Sequence, residues 1–134
     1  MASSSDWDAS IRLLDAVDDG TFFTLDEIAL NTEFDVVAHV EIGENLNENV
    51  DSFVLRVAVR HLTQSLTVEV VEKVGALTPR NNTPFFARER VDFAALDPAR
   101  AAVGDVLQAV ASYKVIAGAN ADTSAAESAT FVVI

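Results

Sequence analysis

The residues of this chain best able to do chemistry are its carboxylates and side-chain amides, because the other reactive types are scarce. Cysteine is absent, and there are two histidines, His39 and His61. Disulfides and thiolate metal sites are therefore excluded, and two histidines fall short of the convergent ligand set of a zinc centre. No serine sits in a nucleophile-elbow motif with either histidine, and five glycines are scattered singly. Neither acyl transfer nor a phosphate-cradling loop has its parts. Carboxylates could pair as acid and base, but nothing in the sequence singles out such a pair. The expectation is a chain without catalytic residues.

Hard cations are a sharper possibility, because they bind carboxylate and amide oxygens. The stretch Glu44-Asn-Leu-Asn-Glu-Asn-Val-Asp51 is dense in such groups, and Glu44, Asn47, Glu48 and Asp51 are its candidate calcium ligands. A second stretch, Asp15-Ala-Val-Asp-Asp-Gly20…Asp26, has acids at the first, fifth and twelfth positions of an EF-hand loop and glycine at the sixth. Val17 stands at the third position, where an oxygen ligand belongs. A solvated turn is the competing reading for both stretches. No other cofactor is implied.

The formal net charge is −12 over 134 residues. Residues 1–51 hold thirteen acids and one base, Arg12, whereas residues 52–134 hold eight of each. The whole excess thus lies in the first two-fifths of the chain. A nucleic-acid partner is excluded, since phosphate contacts need clustered Lys and Arg. An interaction surface for a basic partner or for cations fits the asymmetry, as does a solvated face that keeps the protein soluble. No apolar run approaches the roughly 18 residues of a membrane-spanning helix, so no membrane insertion is expected. Residues 1–8 carry neither a basic nor an apolar leader segment, which implies a cytoplasmic or particle-associated chain rather than a classically secreted one.

These groups must be positioned by strands. Phe34, Val36, Ala38, Val40 and Ile42 alternate with polar partners, the mark of a half-buried strand. Phe53, Leu55, Val57 and Val59 do the same, as do Leu66, Val68 and Val70. Phe85 to Ala95 and Leu107 to Val115 continue the pattern, and Ser128 to Ile134 reads as a final strand. Gly75 to Pro84 and Gly118 to Ala126 read as loops, and Asp97-Pro98 as the cap of about one helical turn. His39 and His61 are expected to face away from the core. Residues 6–17 fit either a helix or one arm of a hairpin turning at Asp19-Gly20. The expected fold is all-β: an antiparallel sandwich of about seven strands over residues 23–134, preceded by an amino-terminal arm, 1–22.

The stretch Asp97-Pro98…Gly104-Asp105-Val-Leu-Gln-Ala-Val-Ala-Ser-Tyr113 resembles the approach to the penultimate strand of immunoglobulin-like and fibronectin type III-like domains. The resemblance covers about Thr24 to Ile134 and lacks the cysteine pair and core tryptophan of antibody domains. It implies an immunoglobulin-like β-sandwich with an adhesion, spacer or assembly role.

The expected function is therefore structural: a subunit or decoration domain of a fibre, surface layer or virus particle. Its partner would be protein, in a homo-oligomer or larger assembly. Contacts are expected through the arm (Trp7, Ile11, Leu13, Leu14), through the last strand (Phe131, Val133) and through sheet edges. The alternative is a module binding carbohydrate or a calcium-dependent protein partner through loops 43–51 and 78–84.

Overall fold

Period-two alternation produces nine strands in the computed structural model, which describes residues 7–134. They are β1 (Ala9–Asp18), β2 (Glu27–Ile28), β3 (Phe34–Ile42), β4 (Ser52–His61), β5 (Leu66–Ala76), β6 (Phe85–Phe93), β7 (Val106–Ala117), β8 (Asn120–Glu127) and β9 (Phe131–Val133). A single helical turn, α1 (Glu44–Asn47), follows β3. No helix among the described residues is long and apolar enough to cross a membrane.

The strands form two sheets. The smaller has the order β1-β3-β6 and is antiparallel throughout. The larger runs β2-β9-β7-β4-β5. One edge of β7 carries β4 from Ser52↔Ile116 to His61↔Leu107, while its other edge is shared by β8 and β9. β2 joins β9 in parallel. All-β class and sandwich layering thus match the sequence pattern.

Burial follows parity. Phe34, Val36, Ala38, Val40 and Ile42 of β3 meet Phe53, Leu55, Val57 and Val59 of β4 and Leu107, Ala109, Ala111, Tyr113 and Val115 of β7 in one core. Phe34 stacks on its cross-strand partner Phe93 at 5.1 Å between ring centroids, with Phe131 edge-on at 5.8 Å. Such aromatic pairs add to the area they bury.

Three expectations change. Residues 9–18 are no arm and no helix: they pair with β3 along its whole length, because Ala9, Ile11, Leu14 and Ala16 complete the apolar side of the smaller sheet. A bulge between Ile11 and Leu13 keeps both Ile11 and Leu14 inward. The turn at Asp19-Gly20 forms, with Gly20 at φ +73°, but its returning strand shrinks to a single bridge, Val17↔Thr24. Residues 120–127, expected in a loop, form β8. Their Asn, Asp, Ser and Ala content hides the strand, whose pairing is supplied by the neighbouring β7 backbone. His61, expected outward, is 1% exposed; it shares parity with Val57 and Val59 and therefore points into the sandwich.

Two core positions yield predictions. A Cβ added to Gly75 would lie 2.6 Å from Cε1 of Phe53, whose buried ring is backed by Tyr113. Gly75→Ala is expected to destabilise by about 1–3 kcal/mol through overpacking, read from the urea midpoint. The Tyr113 hydroxyl is buried without a protein hydrogen-bond partner, and burial followed by the Glu89 charge pushes its pKa up. Tyr113→Phe is expected to leave stability unchanged or raise it by up to about 1 kcal/mol, since it removes an unsatisfied polar group. A loss of that size in the same urea titration would show that the hydroxyl does useful bonding.

Candidate functional site

The residues expected to make intermolecular contacts divide between core and surface. Ile11, Leu14, Phe131 and Val133 are buried within their own domain and are unavailable to a neighbour. Trp7 and Leu13 are exposed, as are Val132 and Ile134 on the outward parity of the last strand. Sheet edges are also engaged. On one side, the Ala9 N–H donates to Asp122 Oδ2 at 2.7 Å and the Ile11 N–H to Ser124 Oγ at 3.2 Å, tying β1 to β8. On the other, Lys73 of β5 pairs with Glu89 of β6 at 2.9 Å and donates to the Arg90 carbonyl. Inward-pointing charges of this kind discourage a foreign strand from docking at an edge.

The outward face of the larger sheet is different. Cross-strand register places Val74 beside Val54, and Val70 beside Ala58 and then Val110. Val70 and Val74 are 42% and 65% exposed. Ile116 shares the same parity. The charges on this face are Arg56, Arg60, Lys114, Glu27, Glu72 and Glu127, three bases against three acids. An apolar and nearly neutral face thus lies on a chain of net charge −12.

The smaller sheet's outward face carries Asp15, Asp35, Glu41 and Asp92 against Arg12, Arg88 and Arg90, and a groove. Arg12, Phe22, His39, Val40, Phe86, Ala87 and Arg88 line an open concavity of about 630 Å³. Arg12 is engaged by Glu41 at 2.9 Å, and the guanidinium groups of Arg88 and Arg90 lie 4.9 and 4.7 Å from the centre of the Phe22 ring. His39 faces outward as expected, with Nε2 3.9 Å from Asp15.

At the end of this sheet, Asp19 of the turn meets Asp35 of β3 and Asp92 of β6, which are directly opposite one another. One oxygen from each lies within 4.8 Å of the other two. Asp35 faces outward as its parity requires, yet it is 1% exposed because the turn after β1 folds over it. Its Oδ2 accepts from the Gly20 N–H at 2.9 Å and from Arg90 at 2.6 Å, whereas Oδ1 has no protein partner. Burial works against the charged form of Asp35, but the Gly20 N–H, Arg90 and its two acidic neighbours together hold its pKa below the ordinary value. Desolvation, then the Asp35 charge, raises the pKa of Asp19; hydrogen bonding to Asp35 and its charge raise that of Asp92.

The loops expected to bind a ligand do lie together. Asn47 donates through Nδ2 to the Thr83 carbonyl at 2.9 Å, and the Arg80 N–H donates to the Asn47 carbonyl at 3.1 Å. The proposed calcium ligands are used structurally or stand apart: Asp51 Oδ2 accepts from the Gly118 N–H, Asn47 is buried, and Glu44 begins α1. Among the described residues, the acids that converge are Asp19, Asp35 and Asp92, and Glu44, Glu48 and Asp51 form no such group. Sequence reading missed Asp35 and Asp92 because they are 57 positions apart and each looks like an ordinary outward strand residue. The buried His61 is fully partnered: Nδ1 accepts from the Gln64 N–H, which assigns the ring proton to Nε2, facing Asp105 at 2.5 Å. The Ala102 N–H, opposed by burial and aided by His61, holds the Asp105 pKa low.

No family model matches this sequence, and no curated protein matches it. Among solved structures, a candidate beta-galactosidase from Bacteroides fragilis is similar over 89% of this chain and 17% of that one, with 10% identity and a TM-score of 0.45. The chain spans under a fifth of that protein, and a likeness at this level carries no argument.

The raised pKa of Asp92 sets the sign of a pH effect. A carboxyl whose folded pKa exceeds its unfolded one opposes folding wherever it is ionised. Asp92→Asn should therefore raise Tm at pH 7 in chelator-treated, low-salt buffer. The gain should shrink as pH falls through the raised pKa, where the parent protein protonates as well. Scanning calorimetry from neutral to acid pH checks both, and a lower Tm at pH 7 would contradict the assignment.

Proposed function

We propose that this chain is a non-catalytic, immunoglobulin-like interaction and assembly domain whose contact surface is the outward face of the larger sheet. Its partner on that face is a second copy of the chain. The strand order supports the family likeness: a β1-β3-β6 sheet faces a β5-β4-β7-β8 sheet, with β2 and β9 paired in parallel. Consecutive strands cross repeatedly between the layers, the Greek-key habit of such sandwiches.

The observation that carries the reading is the nearly neutral face on which Val54 with Val74, and Ala58 with Val70 and Val110, form two apolar rows flanking the Arg56–Glu72 row. Two copies of a strongly acidic chain repel one another overall, and a face whose acids and bases balance adds nothing to that repulsion. Burying it also removes exposed apolar area from water, which favours association. Assembly by arm exchange loses its support, because the segment concerned is part of the core.

A second reading rests on the groove of the smaller sheet, where Phe22 and Phe86 stand beside Arg12 and Arg88. Exposed rings with guanidinium groups suit a ligand that combines a flat face with an anion.

Sedimentation velocity over a wide concentration range tests the assembly reading. The parent protein is expected to form a dimer or larger species, and Val54→Glu with Val74→Glu is expected to remain monomeric with an unchanged circular dichroism spectrum. Phe86→Ala, on the opposite sheet, should associate like the parent. A parent that stays monomeric throughout, or a double variant that still associates, overturns the proposal and leaves the groove as the surface to examine.

A further inference from the structure

The geometry points to a divalent-cation site, matched to calcium, formed by Asp19, Asp35 and Asp92 where the turn after β1 meets the ends of β3 and β6. Two independent observations converge on it. The first is spacing. Calcium–oxygen distances are about 2.3–2.6 Å, so oxygens on opposite sides of one ion lie roughly 4.6–5.2 Å apart. The three acids each bring an oxygen within 4.8 Å of the others, close to the roughly 4.5 Å at which three oxygens evenly surround one calcium ion.

The second is the buried carboxylate of Asp35. It is 1% exposed, its Oδ2 is occupied by Gly20 and Arg90, and its Oδ1 is shielded from water without a protein hydrogen-bond partner. Buried carboxylate oxygens in native proteins are hydrogen-bonded, paired or coordinated to metal. A cation beside Oδ1 satisfies it.

Charge gives the valence. Three carboxylates and one guanidinium leave a local charge of −2, which a divalent ion cancels. Calcium suits the site better than magnesium because it accepts irregular sets of mono- and bidentate carboxylates and completes its shell with water. Magnesium demands near-ideal octahedral geometry and gives up its waters reluctantly. Asp19 and Asp92 are exposed, so the affinity should resemble that of extracellular calcium modules, a Kd of about 10⁻⁴–10⁻³ M.

Occupancy would clamp the turn at Asp19-Gly20 against both strands. It would thereby also fix Phe22, two residues beyond Gly20, on Arg88 and Arg90. The site is distinct from the larger sheet's outward face, so it stands or falls independently of the assembly proposal.

Isothermal titration of calcium chloride into the full chain, in buffer containing sodium chloride, tests it alongside thermal melts with calcium or chelator. One ion per chain and a Tm several degrees higher in millimolar calcium are expected. Asp19→Asn with Asp92→Asn, both at exposed positions, should lose the binding heat and the Tm response while melting cooperatively. Glu44→Gln with Asp51→Asn should keep both. No heat and no Tm change in the parent overturns the site. So does a response that survives in the Asp19/Asp92 variant, or one that magnesium or added sodium chloride reproduces in full.

Discussion

Each sheet of this molecule has one face built almost wholly of apolar side chains, and water is excluded from both only when they face each other. That constraint governs the rest of the structure through parity. On β4 it sends Phe53, Leu55, Val57, Val59 and His61 inward and Val54, Arg56, Ala58 and Arg60 outward. A polar residue caught on the inner parity must then be satisfied where it lies. His61 takes an N–H from Gln64 and gives its own to Asp105, whose carboxylate also caps the Ala102 N–H. Gly75 obeys the same constraint, since the Phe53 ring fills the space a side chain would need.

Closing the sandwich leaves edges, and the chain treats its two sides differently. The β1–β8 side is joined by Asp122 and Ser124 side chains that accept edge N–H groups of β1. The β5–β6 side carries the Lys73–Glu89 pair at its mouth. With both sides guarded, and with the first strand consumed by the core, the apolar side chains left outward on the sheets include Val70 and Val74 on the larger one and Leu13 and Phe86, beside Phe22, on the smaller. The proposed assembly would therefore use face packing rather than edge pairing.

The charge asymmetry of the sequence becomes a spatial one because β1 and β3, both from the acidic first part of the chain, lie side by side in the smaller sheet. Antiparallel register then brings Asp35 opposite Asp92, and the turn leaving β1 lays Asp19 beside them. Arg90 offsets part of this charge. The remainder shifts the titration of Asp19 and Asp92 upward and makes the cluster a place where a cation would relieve repulsion rather than merely decorate a solvated surface.

By itself the sequence determined the all-β class, the boundaries of β3, β4 and β6 to within a residue or two, and the core residues of those strands. It did so because alternation is a local property that side-chain types record directly. It also excluded thiol chemistry by inventory alone. Only the tertiary structure decided that residues 9–18 are a sheet strand, that the weakly strand-like 120–127 pairs with β7, and that Ile11, Leu14, Phe131 and Val133 are core. Those outcomes depend on which backbone lies alongside, and no local pattern carries that information. The same holds for the acids: sequence density pointed to residues 44–51, whereas convergence occurs among Asp19, Asp35 and Asp92. Local abundance does not create a site, because ligands must meet in space, and register between distant strands is what brings them together.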